Sequence, residues 1–323
     1  MSEHSEGDGA GAARRRRPLA PVLAGALVLL LGVGIGLTAI RLGDRDDEPT
    51  PVASSASSAI RTGPGVWRPL EEGQEPEGTA DELERVLARN PLLEATLQAP
   101  ADCDLPPADG ALPADELSGY LEAGAACLES GWAEALSAEG IDFTGPAVVV
   151  YTIDALPEDS ACDPARFSEA TPVVCRSDNT LYWPVAWDPG FSNATAQEAP
   201  QLYMWHLSYS YALFAMGAAS LDGYFGALLI TLADDPERAE EAQRRYGLQV
   251  SCLASASAYR MPEGIRPEGR VDGFVTSIEA QAAPATAGEP SAEARAVWIR
   301  LGRDSEGELR SCDTWSVAPD AVA

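Results

Sequence analysis

His206-Leu207-Ser208-Tyr209-Ser210 places an imidazole and a hydroxyl four residues apart, on one face of any helix that carries them. Two imidazoles at that spacing, with a carboxylate directly after the first, would hold a zinc ion and activate its water. Here Ser210 stands at the second position and Leu207 where the carboxylate would be. The chain has two histidines, and the other is His4. A catalytic zinc needs three protein ligands besides water, so these residues predict no metal and no cofactor. A serine nucleophile fares no better. Ser208 lies two residues from His206, where helical side chains do not face each other, and no strained strand-to-helix turn surrounds Ser210. His206 is then either a core histidine, hydrogen-bonded to Ser210 or to a neighbouring helix, or a group lining a cleft. Tyr203, Tyr209 and Tyr211 beside Trp205 admit the same two readings.

Cys103, Cys127, Cys162, Cys175, Cys252 and Cys312 form the second set. No spacing is CxxC, which argues against a thiolate metal site, and an even count leaves no thiol over for nucleophilic catalysis. Three disulfides are expected, with 15 pairings open. The sequential one is favoured: Cys103–Cys127, Cys162–Cys175 and Cys252–Cys312. The middle bridge would close a loop of about 14 residues, worth roughly 3 kcal/mol in the chain-entropy model.

Disulfides require an oxidising compartment, and the N-terminal region supplies a route to one. Leu19 to Ile40 is a run of 22 residues without a charge. As a helix it would reach roughly 33 Å, enough for a bilayer core. Arg14 to Arg17 precede it and Asp44-Arg45-Asp46-Asp47-Glu48 follows. The positive-inside rule then makes 1–18 a cytoplasmic tail, 19–40 a transmembrane anchor in contact with the lipid bilayer, and the remainder extracytoplasmic. The run is too long for a signal peptide, and Thr38-Ala39-Ile40-Arg41 is a poor cleavage site. Gly32 and Gly36 form a GxxxG pair of the kind that brings two helices together. Beyond Arg41 the chain carries 17 arginines against 47 Asp and Glu, which opposes nucleic-acid binding. No lysine occurs, a bias characteristic of GC-rich genomes.

Residues 41–78 are rich in Pro, Ser, Gly and acids and read as a flexible extracytoplasmic linker. The domain is expected over 79–323. Thr79 and Glu82 fit a capping box opening a first helix. A second helix is predicted over Ala114 to Ala138. Ala147 to Thr152 reads as a buried strand, and Pro172 to Cys175 with Thr180 to Trp183 as a hairpin. A helix from Thr195 to Ala219 is apolar on nearly every face, so it belongs in the middle of the fold. Further helices are predicted from Pro236 to Tyr259 and from Ser291 to Leu301. Helices, a small sheet and more helices make an α+β class. Asn193-Ala194-Thr195 is an N-glycosylation sequon.

In this order the segments resemble the neutral zinc metallopeptidase family of bacteria over roughly Leu83 to Trp315. A tryptophan-bearing helix before a strand is matched by Cys127-Leu128-Glu129-Ser130-Gly131-Trp132, and a "YCP…IYLD" hairpin by Val174-Cys175 and Leu181-Tyr182-Trp183. The family's HExxH helix corresponds to His206 through Ser210. Its "ELQADCLAG" segment corresponds to Gly247-Leu248-Gln249-Val250-Ser251-Cys252-Leu253-Ala254-Ser255, and its terminal "C-T-F" to Cys312-Asp313-Thr314-Trp315. The resemblance implies a mainly helical, zincin-like fold with a small sheet. It also implies a zinc site of which His206 alone survives, since Leu207, Ser210, Gly247 and Ser251 replace the base, two ligands and the following aspartate.

Three functions fit these residues. The first is a membrane-anchored, non-catalytic pseudo-metallopeptidase, a binding or scaffold protein of the cell envelope holding a peptide or protein partner in the remnant cleft or on its surface. The second is an active zinc peptidase with a non-standard ligand set, and the third a structural protein whose cleft has filled in. All three place the chain in the membrane, so deleting residues 1–40 is expected to move it from the membrane to the soluble fraction; fractionation and immunoblotting check this.

Overall fold

The computed structural model describes residues 65–71, 73–282 and 286–323, so the expected tail, the anchor and most of the linker lie outside the described residues. The described residues form a mixed α+β fold with seven α-helices and one three-stranded sheet. Helix α1, Ala80–Ala88, opens with the expected capping box: Thr79 Oγ1 accepts from the Glu82 amide, and Glu82 Oε2 from the Thr79 amide. Helix α2 is Ala114–Ala138, as its periodicity predicts. Strands β1 (Ala147–Tyr151), β2 (Val173–Cys175) and β3 (Thr180–Pro184) pair in the order β1-β3-β2, with β1 parallel and β2 antiparallel to β3.

The hairpin is where the sequence places it, but β1 is not a buried strand. It lies at an edge, with Ala147 and Val149 exposed, and the fully buried strand is β3. A run of valines shows that a strand forms without showing which neighbour covers it. Beyond the sheet's far face, Tyr151, Phe167, Val173 and Tyr182 make a small second core around Cys162 and Cys175.

Helix α3, Ala199–Ala218, is buried along nearly its whole length. It begins a turn later than its apolar run suggests, because Thr195 and Glu198 hydrogen-bond to each other ahead of it. Helix α4, Leu221–Thr231, was not expected. It is set off only by Ser220, whose φ of 59° lies in the left-handed region, and carries Gly223 and Gly226, which weaken its helical signature. Helix α5 is Pro236–Tyr259, capped by Asp235. Helix α6, Gly269–Val275, was also unexpected, and α7, Ala292–Asp304, runs three residues past its predicted end.

Among the described residues no single helix is long and apolar enough to cross a membrane. Helices α3 and α4 together have the length and composition, but a 76° bend separates them.

That bend is held from outside. Trp67 Nε1 and Asn90 Nδ2 donate to Ala219 O at 2.8 and 3.0 Å, and Ser220 Oγ accepts from the Leu70 amide at 2.9 Å. The domain therefore starts before Thr79, and the latter part of the expected linker docks on it. The linker's polar composition concealed Trp67 and Leu70, which pack on the main core.

All three disulfides join the expected pairs. Cys252–Cys312 ties α5 to the C-terminal segment beside the contact of α5 with α7, where Ser255 Oγ donates to Ile299 O at 2.7 Å. A Cβ on Gly302 would sit 2.2 Å from Cys252 O, so only glycine allows this approach. Gly302→Ala is expected to destabilise the domain by about 1–3 kcal/mol through overpacking, and replacing Cys252 and Cys312 by serine by about 4 kcal/mol from the loop they close. Urea denaturation of each variant measures both.

Candidate functional site

The HExxH-like segment forms the second and third turns of α3, and its side chains point in three directions. His206 and Ser210 share one face. Leu207 points towards α2, where Gly124 makes room for it: a Cβ there would meet Leu207 Cδ2 at 2.9 Å and Met204 Sδ at 3.0 Å. Tyr209 points towards α5, where its hydroxyl lies 2.7 Å from Ser251 Oγ, which in turn donates to Gly247 O at 2.9 Å.

His206 is 3% exposed. The chain between β3 and α3 folds back over it, held in a tight turn by Asp188, whose Oδ1 accepts from the amides of Gly190 and Ser192 at 3.0 and 3.2 Å. Gly190 takes a φ of 129°, a conformation that excludes most side chains. The turn carries Trp187 and Phe191 onto the imidazole, edge-on, with ring centroids 4.9 and 5.8 Å away. Phe191 stacks on Tyr203 at 3.9 Å, and Tyr203 accepts the Leu112 amide through its hydroxyl. Among the described residues no hydrogen bond joins His206 to Ser210, so the expected polar contact is replaced by an aromatic enclosure. A peptide or protein partner at His206 would have to displace Trp187 and Phe191.

The enclosure sets the chemistry. A charged imidazolium buried without a counter-ion is costly, and burial lowers the His206 pKa from 6.5 to about 3. Burial likewise raises the Tyr209 phenol above its ordinary value. Both groups are neutral at physiological pH. Ser208 is fully buried and its hydroxyl has no protein partner among the described residues, so nothing activates it as a nucleophile.

The zinc site implied by the family resemblance does not fit these residues. One imidazole sits among aromatic rings, and the serine on α5 is engaged by Tyr209. The position of the general base is an aliphatic side chain against a glycine. Among the described residues no group of three or more His, Cys, Asp or Glu side chains is arranged to hold a metal ion.

The structure thus brings together Tyr209, Ser251 and Gly247, but neither Ser251 nor Gly247 hydrogen-bonds to His206. Sequence reasoning missed Trp187 and Phe191, although Asp188-Pro189-Gly190 between them is a recognisable turn signal. It also missed the cluster in which Arg176, from the hairpin turn, pairs with Asp222 on α4 while Tyr246 on α5 hydrogen-bonds to the same carboxylate. The chain matches no known protein family, no curated protein and no solved structure.

Unfolded, His206 takes a proton below about 6.5, whereas folded it does so only near 3. Between these values the unfolded state binds the extra proton, so stability falls as the pH drops through that window. At about pH 4.5 the loss attributable to His206 is about 2–3 kcal/mol, absent in His206→Phe. Thermal denaturation of both proteins at that pH and at neutrality measures it; an equal acid loss in the two excludes His206 as its source.

Proposed function

We propose that this chain is a membrane-anchored, extracytoplasmic pseudo-metallopeptidase: a relative of the bacterial neutral zinc metallopeptidases that keeps a zincin-like framework, does not catalyse, and serves the cell envelope as a binding or scaffold protein. The observation that carries the reading is the state of the HExxH-like segment. Its one imidazole is neutral beneath Trp187 and Phe191, and Leu207 occupies the base's place. A hydrolytic site needs a base or a metal-bound water within reach of substrate, and this segment offers neither.

The order of elements supports the kinship. A helix bearing Trp132 precedes β1, a disulfide closes onto the hairpin, and α3 packs against α5, the helix that carries Gly247 and Ser251. Trp132 Nε1 also donates to Ser257 on α5 at 3.1 Å, joining the first and last parts of the resemblance. Three disulfides agree with an oxidising location. Because the space over His206 is filled with side chains, partner binding in this reading uses the outer surface rather than the remnant of the zinc site.

The test is elemental analysis and a peptidase assay on the purified full chain in detergent. No stoichiometric zinc and no chelator-sensitive cleavage are expected. One tightly held zinc per chain, with cleavage abolished by chelation, overturns the reading in favour of an active peptidase with a non-standard ligand set.

A further inference from the structure

The sheet ends on one side at β1, and the outer edge of that strand has no partner among the described residues. Ala147 donates to Asn179 O, and Tyr151 O accepts from the Val185 amide, each at 2.9 Å. In a parallel pair this pattern directs Ala147, Val149 and Tyr151 towards β3, so Val148 and Val150 turn their N–H and C=O groups outwards. Along this edge runs a groove of about 600 Å³, lined by Asp115 and Ser118 from the first two turns of α2 and by Val149, Val150 and Thr152. Val149 and Ile153 are exposed apolar side chains beside it.

Edge strands in native proteins are usually protected by charges, prolines, bulges or a covering loop. Ala147-Val148-Val149-Val150-Tyr151 has no charge and no proline, and its β-branched residues favour pairing. Charge decides what kind of strand fits. The groove wall contributes Asp115, exposed Asp154 follows the strand by three residues, and the whole chain carries a net charge of −28. Two copies pairing through β1 would bring these carboxylates together, whereas a basic chain would be attracted.

We propose that the open edge of β1 is a docking site for an extended segment of a basic partner protein. The segment adds to the sheet as a fourth strand. Its backbone bonds to Val148 and Val150, its apolar side chains cover Val149, and its arginines or lysines reach Asp115 and Asp154. His206 does not line this groove, and the site does not rest on the kinship with peptidases.

Fluorescence anisotropy on the full chain in detergent tests this with a labelled peptide, Arg-Val-Thr-Val-Thr-Val-Arg. Binding is expected to weaken about tenfold or more when glutamates replace its arginines, and again when alternate backbone nitrogens are methylated. At saturation, hydrogen exchange should slow at Val148 and Val150. Val148→Pro, which removes one outward donor at a position where an edge strand tolerates proline, should abolish binding. Because the methylated peptide is tested on the unaltered protein, misfolding of that variant leaves the test intact. Equal binding of the methylated peptide, unchanged exchange in β1, or no binding of the basic peptide overturns the proposal. Concentration-dependent protection of β1 without peptide overturns it in favour of a second copy of the chain.

Discussion

Helix α3 has no polar stripe, so it is stable only if other elements cover it on every side. Helix α2 approaches closely enough to need Gly124, and α5 lies against it through Tyr209 and Ser251. The turn carrying Trp187 and Phe191 closes the side that no helix reaches. Trp132 Nε1 donates to Ser257 Oγ and so joins α2 to α5, while Cys252–Cys312 and the Gly302 contact tie α5 to the C-terminal segment and to α7. His206 is carried inside by this requirement, and its neutrality follows from having no charge beside it to share the burial.

The parts of the fold legible in the sequence were those with strong local signals. The capping box at Thr79, the periodicity of Ala114 to Ala138 and the proline after Asp235 placed α1, α2 and α5. Of the disulfides only Cys162–Cys175, which closes a short loop, had a local reason in the sequence; the other two followed from pairing the cysteines in order. Helices α4 and α6 were not, because glycines dilute their signal and α4 follows α3 after a single left-handed serine. The exposure of β1 was illegible for another reason: a valine run looks the same whether its neighbour is a strand or solvent. At the candidate site, the shortage of metal-ligating side chains could be counted along the chain. That aromatic rings cover His206 could not, because it depends on where the 14 residues between β3 and α3 fold.

The polar groups around α3 show how little chemistry such an interior admits. Tyr209, Ser251 and the Gly247 carbonyl form a short chain of hydroxyls between two helices, all neutral and mutually satisfied. It joins the helices as a structural contact of the kind buried hydroxyls favour. A carboxylate at Leu207 would bring an unpaired charge into the close contact with α2 at Gly124, so apolar packing and a zinc site are alternatives at that position.

The docking of Trp67 at the bend between α3 and α4 fixes where the preceding chain joins the domain. In the membrane-anchored protein proposed above, the leash is shorter than its composition suggests. It ends at Trp67 and not at Thr79, and the 25 residues between Arg41 and Trp67 can span at most about 90 Å. Because the attachment is beside α1 and α4, a membrane anchor would draw that side of the domain back towards the lipid. Any ligand approaching from outside would meet the remaining surface first.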